Sequence, residues 1–149
     1  MAFAASPIVY WGSIVRYLIL VAGAPGAGKS TLAEIIGSLD PEVFIVAADD
    51  YFYDVFGNYL FDLANIGEAH QWCQKQIIAA MRVDVPLIVV HNTFSTRAEI
   101  EPYIRLAEQN DYMVISLMVE NLHGGESVHG VPPEKVQLFK EQLKEWFQP

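Results

Sequence analysis

A single cysteine, Cys73, leaves this chain of 149 residues without an internal disulfide, and no Cys/His grouping has zinc-finger spacing. That usage fits a reducing compartment, and a cytoplasmic location is expected. Basic residues are also scarce: nine Lys and Arg stand against eighteen Asp and Glu, a formal net charge of −9. A surface so poor in cations offers no basic stripe along which DNA or RNA could be tracked. A small anion can still be bound locally, by backbone dipoles and one lysine. No repeat, linker or low-complexity tract divides the sequence. The apolar N-terminal stretch is interrupted by Arg16 and its end is needed as a strand, so no membrane segment is expected. With 52% apolar and 18% charged residues the chain has material for a core, and one domain over residues 1–149 is expected.

Against that background one stretch stands out. Gly23-Ala24-Pro25-Gly26-Ala27-Gly28-Lys29-Ser30-Thr31 fits the phosphate-loop pattern G-x-x-x-x-G-K-[ST] without mismatch. Before it runs Tyr17-Leu18-Ile19-Leu20-Val21, an apolar run suited to a strand buried on both faces. After it, apolar residues at 32, 35, 36 and 39 mark one face of a helix. Glycines permit positive φ, so successive N–H groups can turn inward around phosphate oxygens, and the helix N-terminus adds partial positive charge. Lys29 is expected to reach the β- and γ-phosphates, and the Ser30 hydroxyl to hold Mg²⁺.

The rest of the chain repeats the strand-then-helix alternation. Residues 1–15 show no clear period and read as an extension packed on the sheet. Val43-Phe44-Ile45-Val46-Ala47-Ala48 is a second buried run, ending in Asp49-Asp50-Tyr51-Phe52. In a parallel sheet such a position lies on the ligand side, where an aspartate can accept a proton from a hydroxyl or bind a Mg²⁺-held water. An aromatic connection, residues 51–64, follows; it could stack a base, wall off water or simply cover the core. Asn65 with Glu68 predicts a capped helix carrying His70 and Trp72. Pro86-Leu87-Ile88-Val89-Val90 is the third run, ending in His91-Asn92-Thr93, and Thr96 with Glu99 predicts a capping box for the next helix. Arg97 falls in that helix's first turn, where a guanidinium could clamp a transferring phosphoryl group. Tyr112 to Val119 is a fourth strand, residues 120–131 have the Gly-rich composition of a mobile lid, and Pro132-Pro133-Glu134 opens a last helix. The whole reads as an α/β parallel sheet with right-handed crossovers.

The phosphate loop, Asp49-Asp50-Tyr51-Phe52, Ala69-His70-Gln71-Trp72-Cys73, Asn92-Thr93 and His129-Gly130-Val131-Pro132, in that order, resemble the polynucleotide-kinase-like P-loop kinases of the AAA-type P-loop NTPase superfamily. The resemblance covers residues 17 to 140. It implies a three-layer P-loop NTPase fold, with a mostly parallel sheet of four to five strands flanked by helices. It also implies ATP- or GTP-dependent transfer of a phosphoryl group to a hydroxyl, often a nucleic-acid 5′-hydroxyl, with Asp49 as general base and Lys29 and Ser30 as the phosphate-loop lysine and hydroxyl.

Three departures accompany it. Phe52 stands where such kinases carry an arginine after the Asp pair, residues 120–131 contain no Arg or Lys, and the third strand ends in His91-Asn92 rather than an acid. The missing cations weigh against a polynucleotide acceptor. Two functions are therefore expected in competition. One is a kinase with Asp49 as base, Arg97 as cation and an acceptor near Asp50, Tyr51, Asn92 and Thr93. The other is a nucleotide-binding regulatory module with little transferase activity. Simple ATP hydrolysis driving a partner ranks last.

Overall fold

The computed structural model describes residues 9–10, 13–127 and 129–147. Val9–Tyr10 (β1) and Ser13–Ile14 (β2) pair antiparallel as a small sheet of their own, separate from the main one. The extension thus includes a hairpin, which the aperiodic sequence did not announce; residues 1–8 and 11–12 lie outside the described residues.

The main sheet contains Arg16–Ala22 (β3), Phe44–Val46 (β4), Leu87–His91 (β5) and Tyr112–Met118 (β6), in the order β4-β5-β3-β6. Every pairing is parallel, with Leu20 opposite Val90 on one side and Ser116 on the other. Side chains alternate between two packed layers, as the pleat requires. Leu18, Leu20, Val46, Ile88 and Val90 face one core, against Ile66–Arg82 (α2), Arg97–Gln109 (α3) and Pro133–Phe147 (α4). Val21 and Val89 face the other, against Lys29–Gly37 (α1). Burying each such side chain stabilises the fold by about 1.5–3 kcal/mol before entropy is counted.

The result is three layers around a four-stranded, all-parallel sheet, the P-loop NTPase fold that the resemblance implies. One helix face differs from expectation. Ile35 and Leu39 of the first helical segment are exposed, at 56% and 69%, and Ala33 is buried instead. On this side of the sheet α1 packs through Leu32, Ala33 and Ile36, a stripe rotated from the one the apolar spacing suggests. No helix of the described residues is long and apolar enough to cross a membrane.

This topology places the loops after β3, β4 and β5 together beyond the carboxyl ends of the strands, the usual place for a ligand in an open α/β sheet.

Candidate functional site

The phosphate loop joins β3 directly to α1. Gly26 has φ 81° and Gly28 φ 102°, conformations that a side chain resists, so the two glycines set the curl of the loop. Lys29, the first residue of α1, donates from Nζ to the Ala24 carbonyl at 3.0 Å and so folds back over the loop. Burial lowers its pKa to about 8, against the opposing pull of the Asp49 carboxylate. Ser30 and Thr31 follow, both exposed.

After β4 the chain turns into a short 3-10 helix, Ala48–Phe52. Its two aspartates have different surroundings. Asp50 turns back and accepts the Ala47 N–H at 2.8 Å, capping the turn. Asp49 is exposed, and its Oδ1 accepts from the Tyr59 hydroxyl at 3.4 Å. The position is braced from β5: the Asn92 side-chain oxygen accepts the Ala48 N–H at 2.7 Å, and Asn92 Nδ2 donates to the Tyr103 hydroxyl at 3.4 Å. His70 Nδ1 lies 3.1 Å from that same hydroxyl, which is fully buried with its pKa pushed up by burial. Asn92 is itself 6% exposed, so its amide is a bracket between strand ends. Asn92→Ala should leave the Ala48 N–H unpaired and lower unfolding stability by about 1–3 kcal/mol, read as a shifted denaturant midpoint with unchanged m.

Beyond Asn92, Thr93 gives its carbonyl to the Gly23 N–H at 3.2 Å, tying β5's exit to the phosphate loop. Phe94 then takes φ 47° while fully buried, and its carbonyl accepts from Trp146 of α4 at 3.1 Å. A non-glycine residue persists there only because its surroundings fix it.

The loop after β6 contributes residues 123, 125–127 and 129–131 to the lining of the site. Asn121 braces it by two bonds to Gly125, donating to the carbonyl at 2.7 Å and accepting the N–H at 2.9 Å. It rests on the phosphate loop so closely that a Cβ on Gly26 would come within 2.6 Å of the Glu126 backbone.

These elements enclose one continuous cavity of about 1240 Å³, lined by Lys29, Ser30, Thr31, Asp49, Asp50, Asn92 and Thr93 among others. Two residues expected there are elsewhere. Tyr51 lines a separate small pocket and donates its hydroxyl to Glu68 at 2.9 Å. Arg97, exposed at the start of α3, does not line the cavity. Lys135, in the first turn of α4, does line the cavity. Phe52, where the resembling kinases have an arginine, is buried beside Phe61, ring centroids 5.0 Å apart, and serves the core.

The sequence also hid a concentration of imidazoles. All four histidines of the chain, His70, His91, His123 and His129, line this cavity. Burial holds His70 and His91 below the ordinary histidine range. No local spacing links them; they come from α2, the end of β5 and the loop 120–131. The two capping pairs also differ from expectation. Neither Asn65 nor Thr96 makes a side-chain cap bond, Glu68 goes to Tyr51, and Glu99 accepts the Ser95 N–H at 2.8 Å, one residue upstream of the expected box.

A family model described as an AAA domain matches residues 18–121, from β3 past the end of β6. The chain belongs to the AAA domain family. The chain is 32% identical over 134 residues to NEDD4-binding protein 2 of Homo sapiens, a match covering 85% of the chain. The chain spans only 8% of that relative's length. Among solved structures it is similar to a chain of the Pnkp1/Rnl/Hen1 RNA repair complex, with TM-score 0.69 and 16% identity over 88% of this chain and 45% of that one. It is also similar to APS kinase CysC of Mycobacterium tuberculosis, with TM-score 0.55 and 13% identity over 87% and 98% of the two chains. At these identities the likeness is one of fold, and the fold is the kinase-like one.

Proposed function

We propose that this chain is a P-loop kinase that binds ATP or GTP with Mg²⁺ and phosphorylates a hydroxyl of a nucleic-acid end, a nucleoside or another small molecule. The observation that carries this reading is the shared cavity of Lys29 and Asp49, close enough for the carboxylate's charge to act on the ammonium. A phosphate-binding cation and an exposed carboxylate across one cavity are what phosphoryl transfer to an alcohol requires.

The residues present fit the nucleotide. Positive φ at Gly26 and Gly28 leaves a loop whose backbone can close around phosphate oxygens. Among the described residues no group of three or more His, Cys, Asp or Glu side chains is placed to hold a metal ion. The Ser30 hydroxyl is the group that would hold a divalent cation here, and the ion would supply charge neutralisation for the nucleotide's phosphates. The bound nucleotide supplies the electrophilic γ-phosphoryl group. Lys29 holds positive charge against it, Asp49 accepts the proton of the attacking hydroxyl, and the loop 120–131 excludes water as a lid. Thr93 and Asn92 keep the acceptor side in register with the phosphate loop. Of the residues assigned to the acceptor by sequence, Asp50 lines the cavity with one oxygen, Oδ2, engaged in the cap, and Tyr51 gives its hydroxyl to Glu68.

We assign the cation for the transferring group to Lys135 rather than Arg97, because Lys135 lines the cavity and Arg97 does not. Lys135→Ala should lower turnover about tenfold or more with little change in nucleotide affinity. Arg97→Ala should fall within the roughly 0.5 kcal/mol scatter of surface substitutions. Steady-state kinetics of the two variants in parallel decide; a loss confined to Arg97→Ala would reverse the assignment.

The overall reading is tested by transfer of ³²P from γ-labelled ATP, with Mg²⁺, to 5′-hydroxyl oligonucleotides, nucleosides and polyols, with Lys29→Ala as control. A second reading, a nucleotide-binding regulatory module, is favoured by the exposed position of Arg97 and the absence of Lys or Arg from residues 120–131. Lys29-dependent binding without transfer to any acceptor would select it.

A further inference from the structure

The acceptor side of the cavity is built by a stretch without cations. No lysine or arginine lies between Lys29 and Lys75, whereas Asp49 and Asp50 do and both line the cavity. What this stretch offers instead is rings. Tyr59 lines the cavity with its hydroxyl 3.4 Å from Asp49 Oδ1, and Phe61 lies nearly parallel to it, 15° between planes. Its ring is stacked upon by an imidazole from the loop 120–131: His129 lies 4.0 Å from Tyr59 between centroids at 22°, and its Nε2 is 3.9 Å from Asp49 Oδ2. A planar heteroaromatic ring with a polar edge toward the candidate base is therefore what this place accommodates.

We propose that the Tyr59 face is a stacking subsite for the acceptor, that the acceptor is an unphosphorylated, ring-bearing alcohol of the free-nucleoside class, and that His129 fills the subsite until the acceptor displaces it. The proposal rests on the kinase reading above. A base laid on Tyr59 in place of His129 leaves its sugar toward Asp49, where a hydroxyl can give up its proton. Stacking tolerates any base, because every base has a π-face. A phosphate on the same sugar would meet the carboxylates of Asp49 and Asp50, while the two lysines of the lining, Lys29 and Lys135, are assigned above to the nucleotide and the transferring group, and like charges in a partly enclosed site repel. Transfer forms the bond between the acceptor oxygen and phosphorus, breaks the bond from that phosphorus to the bridging oxygen of the nucleotide, and moves the hydroxyl proton to Asp49.

The test uses the whole chain with uridine, uridine 3′-phosphate, a 5′-hydroxyl oligonucleotide and glycerol as acceptors. Uridine binding is measured in parallel by calorimetry on protein loaded with a non-hydrolysable ATP analogue. Uridine should be phosphorylated and the two phosphate-bearing acceptors should be poorer. Tyr59→Leu should raise the uridine KM and Kd roughly tenfold or more, Tyr59→Phe should restore both, and His129→Ala should tighten uridine binding. Preference for the 3′-phosphate or the oligonucleotide would overturn the substrate class. Uridine constants unmoved by Tyr59→Leu would overturn the subsite, and transfer to glycerol in that variant would show that the kinase reading survives it. Tyr59-dependent uridine binding without transfer to any acceptor would instead sink the kinase reading and leave the subsite standing.

Discussion

Asp49→Asn is expected to keep nucleotide affinity and to lower phosphoryl transfer by about 10²–10⁴-fold, the range of a lost general base. The substitution is nearly isosteric, and an amide oxygen can still accept from Tyr59, so the 3-10 turn and its brace from Asn92 should persist. What disappears is the group that takes the hydroxyl proton. The measurement is kcat and the KM for ATP side by side. A fall in kcat at unchanged KM for ATP supports the role, and unchanged kcat removes Asp49 from the chemistry. Asp50→Asn is the internal control: that carboxylate caps its own turn through Ala47, so its loss should appear in stability and leave the acceptor chemistry in place.

The second large effect concerns Lys29. Lys29→Ala should reduce transfer by about 10²–10³-fold or more, because an oriented charge on the transferring group is removed from a partly desolvated site. The same residue makes a pH prediction. Burial holds its pKa near 8 in the nucleotide-free chain. Phosphate anions beside the ammonium favour the charged form and raise that value. Below about pH 8 the lysine is already protonated and binding should take up no proton through it. Above that pH, binding must protonate Lys29, so proton uptake should appear and affinity should decline as pH rises. Calorimetry in two buffers of different ionisation enthalpy reads the uptake directly. Lys29→Ala should abolish it, and equal uptake in both proteins would assign the proton elsewhere.

Local physics made much of this protein legible in its residues. The glycine spacing of the phosphate loop has one backbone solution, and the φ values of Gly26 and Gly28 are that solution. The apolar runs of β3, β4 and β5 are continuous because both faces of each are buried, and the alternation of strands with amphipathic helices leaves a parallel layered sheet as the economical packing. The position of Asp49 at a strand's carboxyl end follows from the same pattern.

Side-chain direction was not legible, because it depends on what lies opposite. Asp49 and Asp50 are neighbours of one residue type, and only the turn of the 3-10 helix sends one into a cap and leaves the other free toward Tyr59 and His129. Arg97 and Lys135 each stand in the first turn of a helix; how α3 and α4 pack on the sheet decides which of them lines the cavity. Glu68 and Glu99 carry the signature of capping partners, yet Tyr51 and Ser95 compete for the same carboxylates and hold them. The stripe of α1 that faces the sheet was ambiguous, since residues three and four apart define more than one apolar face. The histidines are far apart in the chain and share a cavity only after folding. The sequence by itself determined the phosphate loop, the layered α/β fold and the ligand-bearing edge, because these rest on backbone conformation and hydrophobic period, which are local. The tertiary structure alone decided which charges and rings meet around Asp49, because that depends on contacts between segments the sequence keeps apart.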